Sequence, residues 1–540
     1  GKVGIAEGLL STSKVLKLED MTWKTDNGQG EYKVATPPPA PEPVQDTITG
    51  DETHDAFYKK NLVRKDDGSY QFTGKQTVEF NDGRSVIASE KAVTVSGSDQ
   101  LVFTSSNKNS TKTKLKIKAI ENKAAETLSI TTAKGLIVKA ENTEGRAEGI
   151  SADNGKAGNP NKIDIKGDVT ISAVGKNAAL GVYVVGNSKL RFFNNVTIKD
   201  VTASAASGDY AYYSNIGLYA GSNYTIQKGG TIDIQGDVDI RTKGTGIFAN
   251  GGNSTVTIQG GGYIETDKTS NSPHYALVAQ SGTITMNEAD DVVGEKKVTI
   301  KGNIGVLSGA VSSKEPCKQT QISVGLGKDS TWEGVAVDNF TAEQKKAGFE
   351  GQLSLYFTDG GTWTNEAYGK TISDFKGSQV YMLMGGENEE KAGRIYQKDT
   401  NPLTIGTYSG YTKLYYDHEN KGTKTTDYKA GDTHIKNVGE NATITVYTDS
   451  KNIDKTNKAE VWDVMNTLAG KLYNDAYGKN TGDKDSENQL TGKVGILEGL
   501  LDGAMVGNLE TMAFKDENGQ GKLKSVRPEV PGQGGTITPD

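Results

Sequence analysis

Residues 163–198 read IDIKGDVTISAVGKNAALGVYVVGNSKLRFFNNVTI, and three kinds of short apolar run follow one another within them. A polar-flanked run, Ile163-Asp164-Ile165, leads to a small-apolar run, Gly181-Val182-Tyr183, and then to Leu190-Arg191-Phe192; the cycle restarts at Val196-Thr197-Ile198. Apolar and polar residues alternating over a few positions, punctuated by Gly, Asn, Asp and Ser, mark half-buried strands and tight turns rather than helices. The order persists downstream. Runs of the first kind return at Ile232-Asp233-Ile234, Tyr263-Ile264 and Val298-Thr299-Ile300. The second kind returns at Gly217-Leu218-Tyr219, Gly246-Ile247-Phe248, Ala276-Leu277-Val278 and Gly305-Val306-Leu307. The third returns at Tyr224-Thr225-Ile226, Val256-Thr257-Ile258, Ile284-Thr285-Met286 and Gln321-Ile322-Ser323.

Counted along the second kind, the steps are 36, 29, 30 and 29 residues. Three strands per step predict an all-β chain, a right-handed three-faced parallel β-helix with a short helical C-terminal segment. Each strand would stack on its counterpart one coil below at about 4.8 Å, with apolar ladders inside and Thr, Asp and Lys facing water; ~12 coils make a rod roughly 60 Å long. The echo between IDIKGDVTI at 163–171 and IDIQGDVDI at 232–240 reads as neighbouring coils using one solution twice. A β-sandwich array, the competing fold, would show antiparallel hairpins at spacings of about 8–12 residues.

Composition agrees with a thin core. Of 540 residues only 34% are hydrophobic and 7% aromatic, while 67 are glycine, which disfavours a large globular interior with buried helices. The net charge of −7 without a basic stripe argues against nucleic-acid binding. One cysteine, Cys317, forms no internal disulfide, and His54, His274, His418 and His434 leave no zinc-ligand spacing. No run of about 18 apolar residues is present, so no direct membrane insertion is expected.

A longer repeat frames the array. Residues 1–33 align without gaps on 492–524, with 19 of 33 positions identical, and a proline-rich stretch follows each copy at 34–45 and 525–535. The period is about 490 residues. The chain then reads as an interior stretch: 1–33, the tail of a preceding unit; 34–50, a linker; 51–450, the β-helix, with capping coils at about 360–450; 451–524, an amphipathic helix and the repeated segment; 525–540, a linker and the start of the next unit. Val461, Val464, Met465, Leu468 and Leu472 stand at helical spacing over 459–477, and this helix is expected to cover an exposed coil edge, with a partner-binding helix as the alternative.

Several stretches resemble passenger domains of type V secretion autotransporters. SQVYMLMGG, GRIYQ and PLTIGTYSGYTKLYYD within 378–417, preceded by Gly361-Thr362-Trp363, look like the C-terminal coils of such passengers, in which a strand carrying Trp opens the terminal rungs. The block 459–501, with Leu468-Ala469-Gly470-Lys471-Leu472-Tyr473 and Leu490-Thr491-Gly492-Lys493-Val494, is similar to a unit of large autotransporters of diderm Firmicutes such as Veillonella relatives. The resemblance implies a cell-surface adhesin anchored through an outer-membrane β-barrel that this chain does not include. Host extracellular-matrix protein (fibronectin a candidate), host glycan or other bacterial cells are the implied partners.

Catalytic motifs are sparse. No Gly-x-Ser-x-Gly elbow, His-Glu-x-x-His pair or phosphate loop stands in a suitable context, so a non-catalytic protein without a cofactor or metal is expected. Asp290-Asp291 and Glu387-Asn388-Glu389-Glu390 read as solvated turns, and Asp483-Lys484-Asp485-Ser486-Glu487 lacks the glycine and the twelfth-position Glu of an EF-hand. For binding, Tyr210, Tyr212 and Tyr213 crowd into a segment longer than its coil needs, and tyrosine is enriched at interfaces; local packing of the loop is the other reading. Tyr411, Tyr415 and Tyr416 read as stacking within the terminal coils. Two alternatives to a host-binding adhesin are a self-associating biofilm rod and a carbohydrate-active β-helix enzyme with converging carboxylates.

Overall fold

A computed structural model describes residues 2–3, 16–17, 21–26, 29–34, 48–49, 62–64, 69–108, 116–154, 156, 158–205, 213–223, 227–269, 273, 275–289, 292–309, 319–417, 429–449, 464, 467–468, 470–474, 491–494, 507–508, 513–517 and 520–524. Two compact units divide the chain, 1–44 and 45–540. In the first, Lys2–Val3 pairs antiparallel with Leu16–Lys17, and Met21–Asp26 forms a hairpin with Gln29–Val34.

The second unit is a parallel β-helix. Its first face is a 15-stranded sheet running from Gln76–Phe80 to Thr491–Val494, parallel throughout except for the last strand, Gly507–Asn508. A second face runs from Ile87–Ser89 to Ala336–Asp338, and a third from Tyr70–Phe72 to Leu472–Asn474. The third sheet stays open: antiparallel strands Leu62–Arg64 and Gln520–Lys524 flank its ends, and no pairing among the described residues joins them. At a coil rise of about 4.8 Å, the first face spans about 60 Å.

In-register stacking lays like residues over like. On the third face Ile163, Leu190, Ile232, Val256, Ile284, Ile322 and Leu353 stand in one column, all fully buried. Val182, Leu218, Ile247, Leu277 and Ile304 do the same on the second face. Ile171, Ile198, Ile240, Ile264 and Ile300 do so on the first, and Trp332 and Trp363 continue that column. Each such side chain contributes about 1.5–3 kcal/mol by leaving water. Glycine opens the second-face strands for a steric reason: a Cβ on Gly217 would lie 2.6 Å from the Gly246 carbonyl oxygen, and one on Gly181 2.7 Å from that of Gly217.

Three sequence expectations need correction. Ile163-Asp164-Ile165 and Ile232-Asp233-Ile234 belong to the third face; the first-face strands of those coils are Val169–Gly175 and Val238–Thr242. An Ile-x-Ile run looks alike on either face, so spacing alone could not assign it. The echoing segments therefore each turn a corner from third face to first, and one coil, carrying Ser188–Phe192, lies between them. On the second face the last described strand is Ala336–Asp338, and from Thr362–Asn365 onward the described strands alternate between the first and third faces. Finally, the helix does not run to 477: Val464, Thr467 and Leu468 are helical, whereas Leu472–Asn474 is a strand stacked on Thr433–Ile435. Val464 and Leu468 are fully buried in the link where a second-face strand would lie, and Thr491–Val494 adds a further coil beyond them.

The narrowing is marked by two indoles. Trp332 and Trp363 stack at 4.6 Å and 5°, donating Nε1–H to the carbonyls of Gly302 and Gly334 at 2.9 and 2.8 Å. Both glycines have φ near +150°, which only glycine adopts readily and which turns the carbonyl inward. Trp363→Ala is expected to cost about 3–5 kcal/mol, as other large-to-small core changes do. Because coils couple mainly to their neighbours, urea unfolding followed by circular dichroism should separate an early transition of the terminal coils, which Trp363→Phe largely suppresses.

Candidate functional site

The tyrosines singled out in the sequence are only partly described. Tyr210 and Tyr212 lie outside the described residues. Tyr213 is half-buried, its ring 5.4 Å from Phe248 and its hydroxyl 3.4 Å from Gln280 Oε1. It packs on an apolar layer on the outside of the second face, made of Leu180, Ile216, Phe248, Tyr275, Val278 and Leu307. Those strands are thus covered on both sides, and they read as nearly unbroken apolar runs for that reason. Ile372 and Phe375 pack on the same layer, from the link between Thr362–Asn365 and Ser378–Met384.

That link is a strap held by Asn303. The Asn303 side chain, 1% exposed, donates to the Tyr368 carbonyl at 3.3 Å and accepts from the Tyr368 amide at 3.1 Å. Tyr368 is carried in this way to the first face, where its hydroxyl lies 3.4 Å from Glu265 Oε1.

A furrow of about 500 Å³ opens there. Two local features shape it. A bulge puts Asp200 at φ +56° and breaks the register between Ile198 and Val201, turning Lys199 and Asp200 outward. Asp267 then begins a corner by accepting from the Thr269 amide and hydroxyl at 2.9 and 2.6 Å. The cations lining the furrow are Lys199, Arg241, Lys243 and Lys268; Asp200, Glu265 and Asp267 are its carboxylates, and Thr202, Thr242, Thr266 and Tyr368 complete it with Val201.

Its floor continues an ion ladder. Arg241, Glu265, Lys301 and Glu333 stand in register on successive coils, alternating in sign. Tyr263 lies beneath the Arg241 guanidinium at 4.7 Å and donates to Glu265 Oε2 at 2.7 Å. Burial, then Glu265, pushes the Tyr263 hydroxyl above its ordinary pKa; burial does the same for Tyr368, with Glu265 and Glu333 adding to it. Both phenols stay protonated donors. The Lys301 ammonium is raised by its hydrogen bond with Tyr263, and Arg241 by Asp239, which also pairs with Lys199 at 3.5 Å. Lys243 and Lys268 have no carboxylate partner among the described residues; the Lys268 ammonium sits 5.4 Å over the Tyr368 ring.

Other outward columns are occupied internally. Tyr396, Tyr415 and Tyr447 stack at 4.7 and 5.3 Å, and the buried Tyr416 hydroxyl meets Thr433 Oγ1 at 2.7 Å, whereas Tyr411 remains half-exposed. Glu387 pairs with Lys391 at 2.9 Å in an exposed turn built on Asn388. Asp290-Asp291 and Asp483–Glu487 lie outside the described residues. At the polar end of the second face, Glu148 is fully buried 2.8 Å from Arg146, whose guanidinium lies over the Tyr183 ring. Burial alone would lower the neighbouring Lys118; the carboxylates of Glu148, Glu121 and Asp153 outweigh it and raise the ammonium. Among the described residues no three His, Cys, Asp or Glu side chains gather as a metal site, and no helix is long and apolar enough to cross a membrane.

Comparison with protein-family models, curated proteins and solved structures yields no match.

The furrow's residues come from three coils and a strap about 100 residues away, and no sequence spacing reports that convergence. The single advance signal was the unusual 36-residue step that contains the bulge and the Tyr213 loop.

Two outcomes test this geometry. Asn303→Ala should leave the Tyr368 amide and carbonyl of the strap without their side-chain partner, at about 1–3 kcal/mol, and limited proteolysis should then cut first within 366–377. Lys118 binds its proton more tightly folded than unfolded, so its contribution to stability is complete below the unfolded pKa of about 10.4 and is lost as pH rises through the higher folded value. The urea midpoint should fall above about pH 10.4, and Lys118→Met should remove part of that fall.

Proposed function

We propose that the chain is a non-catalytic adhesive rod of the autotransporter-passenger kind, displayed at a cell surface, and that it holds an acidic glycan in the furrow of its first face. The observation that carries the reading is the furrow's chemistry. Among the described residues Lys243 and Lys268 have no carboxylate partner, and they share the furrow with a row of threonine hydroxyls and with the Tyr368 ring, over which Lys268 sits. Ammonium groups suit sulfate or carboxylate substituents, aromatic faces suit sugar rings, and hydroxyls suit their polar edges.

The carboxylates favour binding over hydrolysis. Glycoside cleavage needs one carboxyl free to give a proton and another free to attack or to activate water. Glu265 is engaged by Tyr263, Tyr368 and Lys301, and Asp267 by its own turn, which leaves Asp200 as the one other carboxylate of the furrow where cleavage calls for a pair. Adhesion gains from the scaffold as well, since a stiff array repeated along a chain turns weak contacts into avidity. The resemblance of 378–417 to passenger coils supports a cell-surface position for such a rod, with matrix protein such as fibronectin and neighbouring cells as further candidate partners.

The test is binding of the purified chain to immobilised sulfated, carboxylated and neutral polysaccharides and to fibronectin. Acidic glycans should bind in a salt-sensitive way, and the pair Lys243→Ala and Lys268→Ala should weaken binding about tenfold, the effect of losing two exposed ion pairs. Unchanged affinity in the double variant, or release of new reducing ends, would overturn the reading.

A further inference from the structure

We infer that residues 1–33 are a closing module for the open end of a β-helix, and that they dock on the terminal coil of a second copy of this chain. The inference stands independently of the proposed glycan site. Its basis is that the two copies of the repeated segment share backbone pairing as well as sequence. Lys2 pairs with Lys17 and Val3 with Leu16; at the equivalent positions Lys493 pairs with Asn508 and Val494 with Gly507. Downstream, Thr22↔Lys33, Trp23↔Tyr32 and Lys24↔Glu31 correspond to Ala513↔Lys524, Phe514↔Leu523 and Lys515↔Lys522, with the next two pairs also in step. With 19 of 33 residues identical, both copies specify the same small antiparallel motif.

The later copy shows what the motif does. Thr491–Val494 uses its other edge to stack in parallel on Thr443–Val446, the last long first-face strand, and Lys522 of the hairpin meets Tyr473 at the end of the third face. Both sheets of the β-helix thus end on antiparallel strands, which leaves a short antiparallel edge in place of the longer parallel one that would template other chains. In the earlier copy the matching edges, of Lys2–Val3 and of Gln29–Val34, have no strand partner among the described residues. Their complement is the terminal coil that their twin already fits.

In a second copy of the chain that coil is held by its own 491–524, which as an intramolecular partner competes at an effective concentration in the millimolar range. Docking in trans therefore becomes dominant where the resident module is displaced. The contact joins residues 1–33 of one chain to the Thr443–Val446 and Leu472–Asn474 strands of another, a heterologous arrangement that propagates linearly.

Equivalence of the copies puts Lys2 of the incoming module over Thr445, where Lys493 stands. Adjacent strands hold their Cα atoms about 4.8 Å apart, within disulfide range. The test uses a chain ending at residue 490 that carries Cys317→Ser, Lys2→Cys and Thr445→Cys. Oxidation should give a ladder of disulfide-linked oligomers, and sedimentation without oxidation should show concentration-dependent association; deleting 1–33 should abolish both. The full chain with Cys317→Ser, Thr445→Cys and Lys493→Cys should link within itself. If the shortened chain keeps its β-sheet circular dichroism and the internal control links, a monomer without the 2–445 disulfide overturns the inference. Should the shortened chain not fold, the full chain with Val494→Pro, Cys317→Ser, Lys2→Cys and Thr445→Cys is read in the same way, and a monomer without the disulfide is again a refutation.

Discussion

Hydrogen-bonded stacking of parallel strands in register is the constraint on which the rest of the molecule depends. Once Ile163 lies over Leu190 and Leu190 over Ile232, every corner between them must return the chain to the same height and side. That requirement explains why corners carry buried asparagines, whose side chains bond backbone groups of their own and the adjacent coil, as Asn122 does with Glu126 and Lys162. It also explains why loops enlarge only at corners, where extra residues leave the ladder intact. An interior one side chain wide per face then suffices, and the low apolar content follows.

The same stacking organises the exterior. A charged residue finds its partner one coil away instead of three or four residues along, so Arg241, Glu265, Lys301 and Glu333 form a ladder whose members are dozens of residues apart. Where one coil breaks register, at Asp200, the ladder splays and a concavity results. The second face departs from an inside–outside alternation, since its outer columns turn from ionic at Lys118 and Glu148 to apolar beyond Leu180 and are roofed by Tyr213 and the strap.

How much of this was legible depended on the range of the signal. Strand type, the repeat of three runs and the long duplication are local or self-similar features, and the β-helix followed from them. Face assignment of Ile163-Asp164-Ile165 was not legible, because period-two alternation names a strand without naming its sheet. The lapse of the second face after Asp338 left a trace in Trp363, which the resemblance placed at the opening of the terminal coils, but the loss of a strand has no residue of its own to announce it. Leu472 kept helical spacing with Leu468 although Gly470 intervenes and the backbone is extended, so the pattern overran the helix. The furrow stayed hidden, since Tyr368 reaches it through Asn303, a buried amide that looks in the sequence like any turn residue.

Among the described residues the coils change from three strands to two, which gives the rod unequal mechanical strength along its length. Fewer backbone hydrogen bonds tie each coil beyond Thr362 to its neighbour, so a pull applied between a tethered end and a bound load would peel those coils before the broader section yields. The paired indoles of Trp332 and Trp363 stand at that boundary. Slack would be paid out from the narrow end while the wider coils, with the furrow among them, kept their shape.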